Sequence, residues 1–540
     1  MPSIKIHGLG SSGEGVGKVG ELIVFVEGAL PGEEIIAEII TRKKKYAVGR
    51  LIEIVKPSSE RVKPFCPLFG DCGGCQLQHM SYAAQLQWKR QQVVDAVERI
   101  GKLEGVEIFP TLGMENPLRY RNKMQFPVGR SKAGLVIGCY ARGSHNIIDA
   151  TSCPIQREGN DRILNAVRKV AAQFNLSPYD EDTHKGFLRH VMGRVGCNGQ
   201  LMVVLVTATK NFPAEKNFVR ALRRELPDVT SIQQNVQTFR NNVILGRETR
   251  VLYGKPTISD EIGGLKFNIS ARSFFQVNTA QAEVLYRTAL DFAEMEDGEI
   301  VVDAYCGTGT IGLFMARRAH RVYGTDIVSS AIADAKRNAR ENNIRNVEFF
   351  VGDAVKVLPR LATTLHFPDV IVTDPPRAGC DRKVLETFAA MEADKIVYVS
   401  CNPATLARDL STLGELGYRT TKIQPVDMFP FTAHVETCVL LCREKIEGRK
   451  MVSVTYEPTD EEIVPHLSPS ATYAELKQWI EEKYHTKVSS LYIAQVKGKH
   501  GLDKRENYNK SSKPNARVPQ CPPEKEKAIE AALRHFRMIT

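Results

Sequence analysis

The chain has 540 residues with a formal net charge of +11, and 43% of its residues are apolar. This composition excludes a largely disordered chain and allows about three or four domains of roughly 100 to 200 residues each. No apolar run reaches the roughly 18 to 20 residues that span a bilayer, and the first residues lack a basic-then-apolar export signal. We therefore expect a cytoplasmic protein. The basic charge suits a polyanionic partner without identifying one.

Residues 3–57 read as short alternating strands separated by glycines, which predicts a small β-barrel over residues 1–59. A basic run, Lys43, Lys44 and Lys45, interrupts the pattern. More basic residues lie nearby in the sequence: Lys18, Arg42, Arg50 and Lys56. The pattern resembles the TRAM domain, an RNA-binding barrel, and this resemblance implies RNA contact. On the residues alone, a lysine-rich hairpin is also typical of a solvated edge that blocks strand pairing.

The 12 cysteines are clustered, which in a chain without an export signal indicates metal binding or catalysis rather than disulfides. Cys66, Cys72 and Cys75 follow a C-x5-C-x2-C spacing, and Cys153 stands alone. Four thiolates are compatible with zinc and with a [4Fe–4S] cluster, and three close cysteines with one distant cysteine suit the cluster. The spacing differs from the C-x3-C-x2-C of radical enzymes, so radical chemistry is not inferred.

Residues 60–280 are predicted to form a mixed α+β domain that contains these cysteines. A helix is predicted over Tyr82–Ile100, and whether it packs on another domain stays open. Strand-like alternation follows from Leu118 onward. Five side chains in this region are candidates for phosphate or base contacts, although each also fits an exposed strand position: Arg119, Arg121, Lys123, Arg189 and His190.

Residues 281–446 alternate helices and strands, which predicts a doubly wound parallel sheet. A strand that ends in Asp303 runs into a turn with Gly307, Gly309 and Gly312, and a helix follows. Glycines in such a turn let the backbone approach a nucleotide closely.

Two more acidic residues end predicted strands of this sheet. Asp326 lies at the spacing where an acid meets ribose hydroxyls, and Asp374 follows the apolar run of VIVTDPPR. Both are expected at the carboxyl edge of the sheet, where open α/β sheets bind ligands.

An apolar run stops at Cys401, and a helix pattern starts immediately after it. Asn402 and Thr405 can cap that helix, so Cys401 is expected beside its positive N-terminal end, where a thiolate is favoured. This is a position for a nucleophile. A buried structural cysteine is the alternative.

Five motifs together resemble the S-adenosylmethionine-dependent RNA uracil-5-methyltransferases. In chain order they are SFFQVN at 273–278, DAYCGTGTIGLFMA at 303–316, DPPRAGC at 374–380, SCNPATLARDL at 400–410 and HVETCVLL at 434–441. The resemblance covers residue 2 to about residue 443, and it implies the class I, Rossmann-like methyltransferase fold. The S-adenosylmethionine contacts that it implies are Gln276, Tyr305, Asp326 and Asp374. The [4Fe–4S] ligands that it implies are Cys66, Cys72, Cys75 and Cys153, in a folding and positioning role.

The resemblance also implies a reaction. Uracil C5 is a poor nucleophile, so Cys401 would add to C6, C5 would take the methyl group, and Glu436 would remove the C5 proton. The target base would be extruded from the stacked RNA. Without the resemblance, Glu436 reads as an ordinary structural glutamate. The barrel with the cluster most resembles the 23S ribosomal RNA enzymes, and tRNA is the alternative substrate.

Two other functions are weighed against this one. The DPPR turn is similar to the [DN]PP[YF] turn of amino-group methyltransferases, but Arg377 replaces the aromatic residue and such an enzyme has no use for Cys401. A non-catalytic iron–sulfur RNA-binding protein would predict damaged cofactor glycines or a missing cysteine, and neither defect is present.

The last segment, residues 447–540, lies beyond the resemblance and has no predicted function. Two amphipathic helices are predicted in it, over Ala471–Tyr484 and Pro523–Phe536. Between them, Lys497–Arg517 holds seven basic and two acidic residues, which fits either a second RNA contact or a solvated loop.

Overall fold

The computed structural model describes residues 1–132, 134–296, 298–364, 368–444, 473–484, 486, 488–500, 521–536 and 538–539. The chain divides into two compact units, Met1–Ile446 and Glu447–Thr540, and each is described by itself. Within the described residues, every helix is too short or too polar to cross a membrane.

The first unit begins with a closed five-stranded barrel in the order β1-β2-β3-β5-β4. Its strands are β1 (Ser3–Leu9), β2 (Gly15–Val19), β3 (Leu22–Val26), β4 (Glu34–Arg42) and β5 (Tyr46–Lys56). Every second side chain of a strand points inward, and Ile4, Ile6, Val24 and Val26 are accordingly buried. The predicted barrel is confirmed.

A helix and a short strand follow the cysteine-rich segment. These are α1 (Tyr82–Arg99) and β6 (Glu107–Ile108). The Ser81 hydroxyl caps α1 by accepting a hydrogen bond from the Ala84 amide at 3.3 Å. The helix therefore begins where the sequence predicts it.

A seven-stranded sheet forms the middle of the unit, in the order β13-β12-β11-β10-β7-β8-β9. Its strands are β7 (Lys123–Ser131), β8 (Gly134–Tyr140), β9 (Ile147–Asp149), β10 (Leu188–Val195), β11 (Leu201–Thr207), β12 (Val229–Val236) and β13 (Glu248–Gly254). Only β11 and β12 pair in parallel. The helices α2 (Glu158–Gln173) and α3 (Glu215–Glu225) cover one face with their apolar sides.

A hairpin and a helix connect the two large sheets. The hairpin is formed by β14 (Thr257–Ile262) and β15 (Leu265–Ser270), and α4 (Thr279–Ala293) follows it. Apolar residues of the hairpin and α4 share one core with Met192 and Met202 of the seven-stranded sheet and with Val301 and Val322 of the last sheet. The middle of the chain and the last sheet are thus packed through a common core.

The last sheet has eight strands in the order β18-β17-β16-β19-β20-β22-β21-β6. Its remaining strands are β16 (Ile300–Ala304), β17 (Arg321–Asp326), β18 (Val347–Val351), β19 (Val370–Thr373), β20 (Lys395–Ser400), β21 (Tyr418–Val426) and β22 (Glu436–Arg443). Its helices are α5 (Thr310–Met315), α6 (Ser329–Glu341), α7 (Ala354–Thr364), α8 (Arg382–Ala390) and α9 (Pro403–Glu415). The first five strands in this order are parallel, which confirms the predicted doubly wound fold.

Residues from the N-terminal half complete this sheet. Strand β6 pairs in parallel with β21, where Ile108 is opposite Ile423. Helix α1 buries Val93 and Val97 in the same core as Leu406 and Leu410 of α9. The helix predicted at Tyr82–Ile100 therefore packs on the C-terminal sheet rather than on the seven-stranded one.

The second unit contains three described helices: α10 (Tyr473–Tyr484), α11 (Ser490–Lys499) and α12 (Pro523–His535). They share a small core that includes Leu476, Ile480, Ile493, Ile529 and Leu533. Two of the three match the predicted helices, and α11 was not predicted. Most of the basic segment Lys497–Arg517 lies outside the described residues.

Candidate active site

The carboxyl ends of the parallel strands bring four predicted site residues to one edge of the last sheet. Tyr305 follows β16, Asp326 ends β17, Asp374 follows β19 and Cys401 follows β20. Adjacent parallel strands end at the same edge, so these residues line up across the sheet. Glu436 begins the antiparallel strand β22, so it reaches the same edge from the opposite chain direction.

Cys401 and Glu436 are neighbours because of the register between β20 and β22. Ser400 is opposite Thr437 in this antiparallel ladder, and Cys401 and Glu436 come next on the two strands. Burial, together with the negative charge of Glu436 and then of Asp374, raises the pKa of the Cys401 thiol to about 11.

The expectation of a thiolate favoured by the helix N-terminus is therefore wrong. Asn402 does cap α9, since its side-chain oxygen accepts from the Ala404 amide at 3.1 Å. Thr405 does not cap it, because its hydroxyl donates to the carbonyls of Arg377 and Asn402. Burial and two nearby acids outweigh the helix end and keep Cys401 protonated.

Glu436 is 6% exposed. Burial raises its pKa well above the usual value, the charge of Asp374 adds to this, and Arg377 opposes it. Burial also raises the pKa of Asp374 to about 7. A buried carboxyl of this kind is a strong base once it is deprotonated.

Arg377 is a site residue that the sequence reasoning did not select. It follows Asp374 in the double-proline turn, and its charge lowers the pKa values of both Cys401 and Glu436. The side-chain amide of Asn402 donates to the Arg377 carbonyl at 3.1 Å, so the helix cap also holds this turn. The sequence does show an arginine in DPPR where the similar turn of amino-group methyltransferases has an aromatic residue, and this difference could have identified Arg377.

The glycine turn is held open by Asp326. One oxygen of its carboxylate accepts from the Gly307 amide at 3.0 Å, and the other accepts from the Val328 amide at 2.8 Å. Gly307 has φ +54°, and a Cβ added there would have no atom within 4 Å. Tyr305 also has a left-handed backbone, with φ 64°. The turn thus presents bare backbone to open space, as a closely approaching ligand requires.

Asp303 lies under this turn and is fully buried. The backbone amide of Gly312 lies beside its carboxylate. Burial raises the pKa of Asp303 well above the usual value, and this amide only partly opposes the effect. The bare glycine backbone above it leaves room for a closely approaching ligand, so the residues here fit S-adenosylmethionine.

Gln276 reaches the site from the segment before α4. It is 8% exposed, and the Asn122 side chain donates to its carbonyl at 2.9 Å. A cavity of about 1250 Å³ lies in front of it. Residues that line this cavity include Gln276, Arg377, Phe429 and His434.

The four candidate ligand cysteines line the same cavity, with a fifth, Cys139. Burial raises the pKa of Cys75 to about 12, and the charges of Cys153, Cys72 and Cys66 add to this, which places all four thiols close together. Cys72 hydrogen-bonds the Cys139 side chain. In the part of the chain that the structure describes, no three or more Cys, His, Asp or Glu side chains stand in a metal-binding arrangement.

The five candidate RNA contacts divide into two groups. Arg189 is buried and donates to the carbonyls of Gln237 and Phe239, so its predicted RNA contact is wrong. Arg119 pairs with Asp161 at 2.6 Å and also serves the fold.

The other three lie near the cavity. Arg121 and His190 line it, and burial lowers the pKa of His190 to about 4. Burial also lowers the pKa of Lys123 to about 7, with Arg194 and Arg121 adding to the effect. His190 is therefore neutral at physiological pH and suits a base edge better than a phosphate.

Comparisons with known proteins agree with this geometry. The family model described as tRNA (uracil-5-)-methyltransferase matches residues 228–444, and the TRAM domain model matches residues 3–52. An RNA methyltransferase of Clostridium tetani, itself uncharacterized, is 52% identical over 440 residues, covering 81% of this chain and 95% of the relative. Another from Halalkalibacterium halodurans is 51% identical over 439 residues, covering 81% and 96%.

A solved structure is also similar. It is the Pyrococcus abyssi tRNA (uracil-54, C5)-methyltransferase in complex with S-adenosyl-L-homocysteine. Its TM-score is 0.67 at 30% identity, and the match covers 82% of this chain and 100% of that one.

Proposed function

The chain belongs to the RNA uracil-5-methyltransferase family, and we propose that it methylates C5 of a uridine through a covalent bond between Cys401 and uracil C6. S-adenosylmethionine supplies the methyl group. The observation that carries the proposal is the juxtaposition of Cys401 and Glu436 at the end of the β20–β22 ladder. A nucleophile and a base are needed on the same ring, at C6 and C5, and adjacent side chains supply both.

The reaction needs two proton transfers. When RNA is bound, the Cys401 thiol gives its proton to solvent water, and the thiolate adds to C6, which makes C5 nucleophilic. C5 then takes the methyl group. Glu436 removes the C5 proton, the C5–H electron pair forms the C5–C6 double bond, and the thiolate leaves. The raised pKa of Glu436 suits this last step, because the carboxylate is then a strong base.

We assign the methyl donor to the edge formed by the glycine turn. Asp326 would bind the ribose, and Tyr305, Asp374 and Gln276 would complete the site. The paired amides on Asp326 keep the turn in place for this.

We propose that Cys66, Cys72, Cys75 and Cys153 hold a [4Fe–4S] cluster. Four close thiols on loops are the donor set for a cubane, and methyl transfer needs no electrons, so its role would be to fix these loops. Protein purified without oxygen should be brown, with iron and sulfide near four each per chain, as such a cluster demands. One zinc per chain would contradict this assignment.

We propose 23S ribosomal RNA as the substrate, on the combination of the RNA-binding barrel with the cysteine site. The tRNA alternative is supported by the similar Pyrococcus abyssi structure, whose substrate is a tRNA uridine. Either RNA fits the cytoplasmic location predicted from the sequence. Both RNAs should be incubated with the protein and methyl-labelled S-adenosylmethionine, then digested and mapped by mass spectrometry for 5-methyluridine. Label on an exocyclic amine would contradict the reaction itself.

The covalent step is tested with RNA that contains 5-fluorouridine. Fluorine at C5 cannot leave as a proton, so the Cys401 adduct persists and migrates as a protein–RNA complex in denaturing gels. Cys401→Ala should form no complex and no 5-methyluridine while it keeps its affinity for S-adenosylmethionine. Turnover by Cys401→Ala would contradict the mechanism.

A further inference from the structure

The loop between β21 and β22, residues 427–435, leads directly to Glu436. Its conformation depends on Phe431, whose backbone is left-handed with φ 67°. A bulky residue in this region is strained, and the conformation persists only where the surroundings fix it. The surroundings of this loop therefore decide where β22 begins, and with it the position of Glu436.

Two glutamines hold Phe431 from either side. The Phe431 amide donates to the side-chain oxygen of Gln85 in α1 at 3.1 Å. The Phe431 carbonyl accepts from the amides of Gln76 and Leu77, each at 3.0 Å. Gln85 is completely buried, and its side-chain nitrogen donates to the Leu77 and Met80 carbonyls at 3.0 and 2.8 Å. All its bonds are satisfied, so it is a rigid support.

Gln76 also uses its side chain. The side-chain oxygen accepts from the Ala433 amide at 3.3 Å, and the side-chain nitrogen donates to the Gly73 carbonyl at 3.0 Å. Gln76 follows Cys75 directly in the sequence. Gln76 thus connects residues 65–78, the cysteine segment, to the loop that precedes the proposed base Glu436.

The Phe431 ring strengthens the same connection. It packs edge-on against Phe65 with ring centroids 4.8 Å apart, and it shares a small core with Tyr120, Cys75 and Cys153. Both the backbone and the ring of Phe431 are therefore held by the cysteine segment.

We propose that Gln76 and Gln85 are positioning residues that place Glu436 for removal of the C5 proton. This inference rests on the proposed function. They act at one step only: the C5–H bond breaks to Glu436, the electron pair forms the C5–C6 double bond, and the Cys401 sulfur is expelled. Addition to C6 and methyl transfer do not use Glu436 as a base, so its misplacement slows release of the enzyme far more than these earlier steps.

The test measures the two halves of the reaction separately with ordinary uridine RNA. Gln76→Met removes both side-chain hydrogen bonds at similar volume. We expect its first-turnover methyl transfer to stay within about twofold of wild type, and denaturing gels to show about tenfold more covalent protein–RNA complex during turnover. Glu436→Gln is the reference for full accumulation. Gln76→Glu, which keeps an acceptor for the Ala433 amide, should restore most of the release rate.

Gln78→Met is the matched control. The Gln78 side-chain oxygen accepts from the Cys66 amide at 3.2 Å, and the Gln78 side chain also hydrogen-bonds Cys75, so its contacts lie within the cysteine segment. We expect no accumulation of the complex in this variant, and iron content measured in both variants separates damage at the cysteines from displacement of Glu436. Gln85→Met repeats the experiment from the other side of Phe431 if Gln76→Met does not fold.

Accumulation in Gln76→Met or Gln85→Met but not in Gln78→Met would support the proposal. Equal slowing of methyl transfer and release, or accumulation in all three variants, would overturn it. Wild-type protein that forms neither 5-methyluridine nor the 5-fluorouridine complex would instead contradict the proposed function, so the two failures are distinguishable.

Discussion

The Cys401 thiol and the Glu436 carboxyl are neighbours across the β20–β22 ladder, one residue beyond the Ser400–Thr437 pair. Burial, and then the negative charge of Glu436, make ionisation of Cys401 harder, since two negative charges would share a buried site. Cys401 is therefore held as a thiol.

Changing Glu436 should activate Cys401 toward alkylation. Glu436→Gln removes a negative charge beside the thiol, so the pKa of Cys401 falls from about 11 and more thiolate exists at pH 8. Iodoacetamide labelling of the Cys401 peptide, followed by mass spectrometry, should be faster by up to about tenfold, as a fall of one pKa unit gives. Arg377→Gln should act in the opposite direction, because Arg377 lowers this pKa. Labelling of the exposed Cys197 is the internal reference. Equal rates at Cys401 in all three proteins would contradict the proximity of these charges.

Gly307→Ala should separate ligand binding from folding. The left-handed backbone at φ +54° costs an alanine about 1 to 2 kcal/mol, and its Cβ would project into the space left for the ligand. We expect S-adenosylmethionine affinity, measured by titration calorimetry, to fall at least about tenfold.

Gly20→Ala is the control for Gly307→Ala. Gly20 has φ +59° and equally open surroundings, but it lies in the barrel. It should show the same loss of stability with unchanged affinity. A shared loss of affinity would mean that strain alone explains the Gly307 result.

Lys89→Met should strongly destabilise the first unit. Lys89 and Asp427 form an ion pair in which both side chains are fully buried, and the Tyr82 hydroxyl also donates to Asp427 at 2.9 Å. Removing the lysine leaves a buried carboxylate without its cation, so we expect a loss of about 3 to 5 kcal/mol in the free energy of unfolding. Urea unfolding followed by Trp88 fluorescence, in a Trp479→Phe background, measures this.

Two further variants define the origin of that loss. Arg99→Met removes an exposed partner of Asp95 on the same helix and should cost less than about 1 kcal/mol. Lys89→Met combined with Asp427→Leu removes both charges and should be more stable than Lys89→Met alone. If the double variant is no more stable than the single one, the unpaired carboxylate is not the cause.

Glu33 should make the barrel sensitive to acid. Its buried carboxylate accepts from Arg61 and from the amides of Leu30 and Ser58. Burial opposes ionisation, but these donors outweigh it and lower the pKa of Glu33. A lowered folded-state pKa gives stability that is present above the unfolded value, near 4.3, and is lost as the pH falls through the folded value.

Glu33→Gln should therefore lower stability at pH 7 by about 1 to 3 kcal/mol, and the difference from wild type should shrink below about pH 4. Thermal unfolding at both pH values checks this. Glu34→Gln, at the half-buried neighbouring position where the carboxylate accepts from the Ser3 hydroxyl at 3.2 Å, is the control and should change little at either pH. A difference that grows in acid would contradict the lowered pKa.

Local patterns in the sequence predicted much of the fold. The alternation in residues 3–57 gave the barrel, and the run that stops at Cys401 placed this residue at a strand-to-helix turn with Asn402 as the cap. These features depend on neighbours within a few residues, which a sequence displays directly. The acids Asp326 and Asp374 were found because parallel strands end at one edge.

Features that depend on distant partners were not predictable in this way. Nothing near Lys89 indicates a buried lysine, because its partner Asp427 lies 338 residues away. The raised pKa of Cys401 likewise comes from burial and from Glu436 on another strand, and so the local helix-end argument gave the wrong sign. Arg189 was predicted to contact RNA because the sequence does not show whether an arginine on a strand is buried by the rest of the fold.

Because α1 and β6 complete the last sheet, the core that they share with it can form only late in synthesis of the chain. A ribosome that adds about 5 to 20 residues per second makes Asp427 roughly 20 to 70 s after Lys89, which is 338 residues earlier. Throughout that interval the charged end of Lys89 lacks Asp427, and Val93 and Val97 of α1 lack Leu406 and Leu410. Helix α1 therefore stays incompletely packed during synthesis. Its core is completed only after the strands that carry the proposed catalytic pair have been synthesised.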